Sequence, residues 1–318
     1  MNNTPSGAYA DLDALLHTRF AGNQLNLQFA KPSKALLSGP VKTRFKGRGM
    51  EFEEVRLYQA GDDIRSIDWR VTARTQVPHT KLFQEEREKP VFLVLDQRSN
   101  MFFGSRHCFK SVYAAHLAAT LGWAALAQND RVGALIFGDH EQADLRPKRS
   151  KHAQMAFLQK VVEFNHQLKS PIAEKTRTPL AEILADILRV ARPGSKIFII
   201  SDFFDLSDDC EKSIYQLSRH NDVVLLQVYD ELEAQWPIAA SLAVSNGQER
   251  LQIDASNRAF QNNYRLYFDQ KKQALQTLAN KLSVTVISAS TGQNPERLLT
   301  GIYGKNKRSS KLKTAKST

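Results

Sequence analysis

The sequence has little of what defines several protein classes. Two of its 318 residues are cysteines, Cys108 and Cys210, and their wide separation matches no metal site, so we expect reduced thiols in a cytoplasmic protein. The longest apolar runs, such as that at 91–95, and others such as 197–200 have the length of strands, whereas a membrane span needs about 18 apolar residues. The first residues contain no basic stretch followed by an apolar one. We therefore expect neither a secretory signal nor a membrane span.

The common sequence signatures of catalysis are also missing. The chain has no phosphate-binding G-x-x-x-x-G-K-[ST] loop, no dinucleotide-binding G-x-G-x-x-G and no G-x-S-x-G nucleophile elbow. Its histidines show no metal-ligand spacing. His116 falls within an apolar helical stretch, where a hydrogen-bonded core histidine is the usual outcome. The sequence therefore predicts a protein that is not an enzyme.

Positive charge is what the sequence has in excess, with a net charge of +11. Residues 305–318 contain six Lys or Arg and no acid, and without them the net charge falls to +5. They show no apolar periodicity, so we predict a disordered basic tail. Such a tail either binds nucleic acid or an anionic surface, or keeps the protein soluble. No aromatic residue lies among its charges to stack on bases.

From residue 90 onward, apolar strands alternate with helical patterns. The main predicted strands are 91–95, 131–137, 196–201, 222–229 and 284–288, and the predicted helices are 109–126, 151–164, 179–191, 207–220 and 258–282. This alternation predicts a doubly wound, mostly parallel α/β sheet with helices on both faces, spanning 90–304. Upstream, strands near 53–58 and 81–85 predict a β-rich arm at 41–89, preceded by a helical segment at 1–40. The Asn246-Gly247 pair predicts a hairpin.

Two of the predicted strands end in aspartates. Asp96 follows strand 91–95, and Asp202 follows strand 196–201, with Asp205 three residues later. In a doubly wound sheet, ligands lie beyond the carboxyl ends of the strands where the strand order reverses, so we expect both aspartates at one edge. Two carboxylates held close together repel unless a cation, a proton or a basic side chain lies between them. We expect Thr178, between them in sequence, to cap the helix that Pro179 begins.

This order of residues resembles the metal-ion-dependent adhesion site of von Willebrand factor type A domains, which combines an Asp-x-Ser-x-Ser loop with a threonine loop and an aspartate loop. Here the first loop reads D-Q-R-S-N, so that Asp96, Thr178 and Asp202 match while Arg98 and Asn100 replace the two serines. The resemblance implies a Mg²⁺ ion held by Asp96, Asn100, Thr178 and Asp202.

Arg98 is the main departure from that pattern, which we therefore describe as a degenerate adhesion site. A guanidinium is already a cation with donors shaped for carboxylates, so we favour pairing of Arg98 with Asp96 or Asp202 over a bound metal. Arg98 could then bind the carboxylate of a partner protein directly, through two parallel hydrogen bonds from its guanidinium. The remaining alternative is that each aspartate only caps the turn that follows it.

A more specific resemblance lies in residues 56–74, RLYQAGDDIRSIDWRVTAR. They are similar to the signature of the domain of unknown function 58 family, a bacterial and archaeal group whose C-terminal part is von Willebrand A-like. The resemblance covers about residues 40–300 and implies a Rossmann-like domain of this type. The matching positions are Arg56, Tyr58, Gly61, Asp62, Asp63, Arg65, Ile67, Asp68, Trp69, Ala73 and Arg74.

The signature is dense in opposite charges, and two interpretations remain open. It is either a buried ion-pair network that fixes the arm, with Trp69 as an anchor against the sheet beside Ile64 and Ile67, or a recognition surface. Nothing in it combines a nucleophile with a matched base.

Three functions follow from these features. Members of the family resembled are commonly encoded beside MoxR-type AAA+ ATPases, which implies a non-enzymatic binding or scaffold protein in protein assembly or stress response. Its contact face would be the loops of Asp96, Thr178 and Asp202. The alternatives are nucleic-acid binding through the basic tail and residues 41–50, and a metal-dependent hydrolase that uses Asp96 and Asp202.

Overall fold

The computed structural model describes residues 4–27, 50–59, 62–85, 90–169, 177–235, 242–245, 250–253 and 258–304. The chain forms two compact units, one of Met1–Ala30 with Lys89–Thr318 and the other of Lys31–Glu88. The N-terminal residues are therefore not the separate segment at 1–40 that the sequence suggested. Leu15, Leu25 and Leu27 are buried in the core of the larger unit, which explains why these residues belong to it.

Strands and helices alternate over most of the larger unit. In the described residues of the two units together, the strands are β1 (Met50–Leu57), β2 (His79–Glu85), β3 (Val91–Asp96), β4 (Val132–Phe137), β5 (Gln142–Lys148), β6 (Lys196–Ser201), β7 (Asp222–Tyr229), β8 (Leu242–Ser245), β9 (Arg250–Ile253) and β10 (Thr285–Ser290). The α-helices are α1 (Leu12–His17), α2 (Arg19–Gly22), α3 (Trp69–Thr75), α4 (Lys110–Ala127), α5 (Lys151–Gln167), α6 (Leu180–Val190), α7 (Asp208–Ser218), α8 (Glu231–Ala234), α9 (Arg258–Leu282) and α10 (Pro295–Tyr303). Short 3-10 turns cover Ile64–Ser66 and Ser99–Met101.

The larger unit is built on a six-stranded sheet in the order β10-β7-β6-β3-β4-β5. Its strands run parallel except for β5, which pairs antiparallel with β4 at one edge. The chain extends the sheet from β3 to one side and from β6 to the other, so the strand order reverses between β3 and β6. This topology confirms the predicted doubly wound, mostly parallel α/β fold.

Both faces of the sheet are covered, which explains why its central strands β3, β4 and β6 are mostly apolar. β3, β4 and β6 are buried along their whole length. Alternate residues of each strand enter two separate cores, one containing α4 and the other containing α6 and α7. α4 is buried except for its last two residues, and its many alanines both favour a helix and allow close packing.

The smaller unit contains the antiparallel pair of β1 and β2, in agreement with the predicted β-rich arm. In the larger unit, β8 and β9 pair antiparallel as the Asn246-Gly247 signal predicts, although that turn lies outside the described residues. None of the helices in the described part of the chain combines the length and the apolar character needed to cross a membrane.

Candidate functional site

The candidate site lies at the carboxyl edge of the sheet, where β3 and β6 are neighbours. Leu95 pairs with Ile200, so Asp96 and the residues after Ser201 leave the sheet side by side. Asp96 is fully buried. Its Oδ1 accepts the Arg98 backbone N–H at 3.0 Å, and its Oδ2 accepts the Ser201 hydroxyl at 2.7 Å. We call this edge, with the loops that follow β3, β4 and β6 and the start of α6, the rim.

The Arg98 side chain folds back onto Asp96 and reaches a second acid. Nε and Nη2 donate to the two oxygens of Asp96 at 3.1 and 2.8 Å. Nη2 and Nη1 donate to the two oxygens of Asp205 at 3.0 and 2.7 Å, and Nη1 also donates to the Thr178 carbonyl at 3.1 Å. A guanidinium has five N–H groups, and each has an acceptor here. Arg98 therefore has no donor left for the carboxylate of a partner.

Burial and charge act against each other in this cluster. Full burial raises the pKa of the Asp96 carboxyl, while the Arg98 charge beside it acts against that rise. Each hydrogen bond that the Asp96 side chain makes with another described residue comes from a donor, so these bonds fit a carboxylate. Burial also opposes ionisation of Asp205, but hydrogen bonds from Arg98 and from the Leu180 N–H outweigh it and lower its pKa. Burial disfavours the Arg98 charge, but Asp96 and Asp205 raise its pKa.

Asp202 has a base of its own, which sequence reasoning missed. Lys110, at the start of α4, donates from Nζ to Asp202 Oδ2 at 2.9 Å and to Glu233 Oε1 at 2.7 Å. Burial disfavours the ammonium, but these two acids raise the pKa of Lys110. The expected pairing of Arg98 is thus found with Asp96 and not with Asp202. The sequence did contain a signal for this pairing: Lys110 is the first residue of an otherwise apolar helix, and a buried lysine needs an acidic partner.

Thr178 does not cap α6 as the sequence suggested. α6 begins at Leu180 with Pro179 at its N-cap, and the Leu180 N–H is accepted by Asp205 Oδ2 at 2.9 Å. The Thr178 hydroxyl instead donates to the Asp139 carbonyl at 3.0 Å, in the loop after β4. The Asp139 carboxylate accepts the Ser99 N–H, with 3.2 Å to each oxygen. The Asp205 carboxylate, in the loop after β6, therefore accepts the first N–H of the helix instead.

Most of the oxygen atoms predicted to bind Mg²⁺ are occupied by other contacts at the rim. Both oxygens of Asp96 accept hydrogens from Arg98, and both oxygens of Asp202 accept from neighbours, Oδ1 from the Asn100 amide at 2.8 Å and Oδ2 from Lys110. The Thr178 hydroxyl is committed to a backbone carbonyl. Of the four predicted ligands, Asn100 alone keeps a buried oxygen, Oδ1, without a hydrogen-bond partner among the described residues. The magnesium site stays a sequence prediction that these contacts do not favour.

The five predicted binding residues are nevertheless brought together at the rim. The contacts above join Asp96 to Arg98, Arg98 to Thr178 and Asn100 to Asp202. Sequence reasoning missed Lys110, Asp139 and Glu233 as members of the site, and it noticed Asp205 only as a neighbour of Asp202. In the described residues we find no set of three His, Cys, Asp or Glu side chains suited to a metal ion.

An exposed aromatic patch borders the rim where β6 ends. Phe203 adopts a positive φ of 53° and is buried, which turns the next residue, Phe204, outward with 56% of its surface exposed. Lys271 of α9 donates to the Phe204 carbonyl at 2.9 Å, and its Nζ lies 3.7 Å from the centre of the Phe204 ring. Tyr267, 52% exposed, lies on the same lysine at 4.9 Å. We call Phe204, Tyr267 and Lys271 the Phe204 patch.

The predicted signature network is only partly a network. In the smaller unit, Arg56 donates to Asp62 at 2.7 Å, and the Tyr58 hydroxyl donates to the Asp62 carbonyl at 3.3 Å. Asp63 and Asp68 cap helical turns by accepting backbone N–H groups. Gly61 lies outside the described residues.

Most of the remaining signature side chains are exposed. Arg65 and Arg74 lie on the surface. Trp69 and Ile64 are 67% and 65% exposed. The role of Trp69 as an anchor against the sheet stays a prediction, because Trp69 lies in the smaller unit and the sheet lies in the larger one. These exposed side chains lie on short helical turns that begin after Asp63 and Asp68. The two aspartates accept backbone N–H groups at the start of the turns, and the side chains that follow point outward. Residues 41–49 and 305–318 lie outside the described residues, so nucleic-acid binding stays a prediction.

Comparisons with known proteins agree with the sequence signature. A family model described as "Protein of unknown function DUF58" matches residues 54–274. The uncharacterized proteins Rv1480 of Mycobacterium tuberculosis and Mb1516 of Mycobacterium bovis are each 26% identical over 224 residues, which is 70% of this chain and 69% of theirs.

Solved structures with a similar arrangement include BatB from Bacteroides thetaiotaomicron, a conserved hypothetical protein, at 14% identity. Another is an aerotolerance-related membrane protein from Bacteroides fragilis, at 16% identity. Each alignment covers 67% of this chain and 96% of the other, with a TM-score of 0.42.

Proposed function

The chain belongs to the DUF58 family of proteins of unknown function, and from this premise we propose that it is a non-enzymatic protein-binding scaffold. We propose a MoxR-type AAA+ ATPase as its partner, in protein assembly or stress response, with the rim as the contact face. The observation that carries the proposal is an exposed aromatic patch, formed by Phe204 of the β6 loop with Tyr267 and Lys271 of α9, beside loops that buried ion pairs hold in place.

The ion pairs support binding through preorganisation. Arg98 ties the β3 loop to Thr178, at the start of α6, and to Asp205 in the β6 loop, while Lys110 ties α4 to Asp202 and to Glu233 in α8. A loop held in its binding conformation loses less conformational entropy when a partner docks. Asp96, Arg98, Asn100, Thr178 and Asp202 therefore shape the face and do not themselves reach the partner.

The Phe204 patch supplies the side chains that would touch the partner. Aromatic residues are enriched among the residues that carry binding energy, and Lys271 fixes the Phe204 ring from one side. Both cysteines are free and buried in separate cores, which is consistent with the reducing cytoplasm where we place this encounter.

The test is a binding titration with the purified MoxR-type ATPase encoded in the same genome, read by biolayer interferometry. We expect Phe204→Ser to weaken binding at least about tenfold, because the loss of a central aromatic contact costs more than about 1 kcal/mol. Tyr215→Ser is the matched control: Tyr215 is also exposed, at 51%, but lies in α7, well past the rim. Equal affinity of the Phe204 variant and the wild type, or no binding by the wild type, would refute the proposal.

A further inference from the structure

Two buried bases pair with four of the acids at the rim. Arg98 bridges Asp96 and Asp205, and Lys110 bridges Asp202 and Glu233. Only 3% of the Arg98 side chain and 2% of the Lys110 side chain are exposed. Each base therefore compensates two acids at a place where water screens charge weakly.

The surroundings of Arg98 are those of a coordinated cation. Its donors reach five oxygens: two of Asp96, two of Asp205 and the carbonyl of Thr178. Hard divalent cations take shells of this kind, made of carboxylate and carbonyl oxygens. The set differs from the magnesium ligands that the sequence predicts, because Asp205 stands where Asp202 was expected and Thr178 contributes its carbonyl, not its hydroxyl.

We propose that Arg98 is a built-in replacement for a divalent cation, so that the rim assembles without metal. The Arg98 guanidinium supplies the positive charge that compensates the two carboxylates, and it is covalently attached to the chain. The assembly of the rim is therefore independent of the concentration of divalent cations in solution. Removing the guanidinium leaves five converging oxygens and two uncompensated carboxylates, which together form a divalent-cation site. The inference concerns the assembly of the rim and stands whether or not the proposed ATPase binds.

Thermal unfolding of the full chain tests this inference, with Arg98→Ser compared with the wild type in EDTA, in MgCl₂ and in KCl of equal ionic strength. We expect the wild-type midpoint to differ by no more than about 1 °C between EDTA and MgCl₂. Arg98→Ser unfolds at a lower temperature in EDTA and regains at least about 5 °C when Mg²⁺ is near one hundred times its dissociation constant. Isothermal titration with Mg²⁺ then shows one site in the variant and none in the wild type.

The double variant Arg98→Ser/Asp205→Asn separates charge from packing. It removes the base together with one of its two acids, so we expect it to fold in EDTA and to lose most of the Mg²⁺ response. If the single variant is obtained folded only in the presence of Mg²⁺, that result supports the inference. It is overturned if the wild type binds Mg²⁺, if Mg²⁺ stabilises the single variant no more than KCl does, or if the double variant fails to fold or keeps the full response.

Discussion

At the scale of single residues, His116 is a buried titratable group that takes no part in the rim. It lies in α4 and is 1% exposed, and its Nδ1 has no hydrogen-bond partner among the described residues, contrary to the expectation for a core histidine. Burial lowers the pKa of His116 to about 4, and the charge of Asp11 acts in the opposite direction. The unfolded chain titrates this group near pH 6.5, so between these values the unfolded state binds a proton that the folded state does not.

The stability of the protein should therefore decline as the pH falls from about 6.5 to about 4, with His116 contributing up to about 3 kcal/mol over that interval. His116→Leu removes the titrating group and should flatten this part of the profile, while leaving stability near pH 7 unchanged or slightly higher. Urea unfolding at several pH values measures the effect. His152→Leu, at an exposed position of α5, is the control. Parallel profiles for the wild type and His116→Leu would contradict the assignment.

At the scale of elements, the end of α9 shows how one residue sets a helix boundary. Ser283 has a positive φ of 54°, and the Val284 N–H donates to the Ala279 carbonyl at 3.0 Å. This six-to-one hydrogen bond is the Schellman arrangement, in which the residue after the helix is usually glycine, because other residues pay a steric cost in the left-handed region. Ser283 is exposed, so its side chain offers little packing in return.

We expect Ser283→Gly to raise the free energy of unfolding by about 0.5–1 kcal/mol, because glycine adopts the left-handed conformation without that cost. Ser283→Ala keeps a Cβ at the same position and should give no gain. Both are measured by chemical denaturation. A Ser283→Gly protein that is less stable than Ser283→Ala would mean that the serine side chain, and not the backbone conformation, decides the boundary.

The elements could be predicted because each leaves a local pattern in the sequence. β3, β6 and α4 are long apolar runs, and the carboxyl ends of adjacent parallel strands must meet, so Asp96 and Asp202 could be placed together in advance. Which basic side chain forms an ion pair with which acidic side chain could not be predicted. Lys110 and Asp202 are 92 positions apart, and Arg98 and Asp205 are 107 apart, so their pairing depends on how the loops turn. The prediction that Thr178 caps α6 was wrong for the same reason.

At the scale of the whole molecule, one sheet carries two cores, and each core holds one cysteine. Cys108 belongs to the core that contains α4, and Cys210 belongs to the core that contains α6 and α7. Both are buried, and burial raises the pKa of the Cys108 thiol to about 12. Because a thiol reacts as its thiolate, Cys108 should resist alkylation until the core opens.

The shared sheet predicts that both cores open together. β3 and β6 place alternate side chains in each core, so neither core can come apart while the other keeps the sheet intact. In the variants Cys108→Ala and Cys210→Ala, each carrying one remaining thiol, alkylation should become fast at the urea concentration at which the circular dichroism signal is lost in that variant. If Cys210 reacts well below that transition while Cys108 stays protected, α7 opens by local unfolding, and the Asp205 side of the rim loses its support before the sheet does.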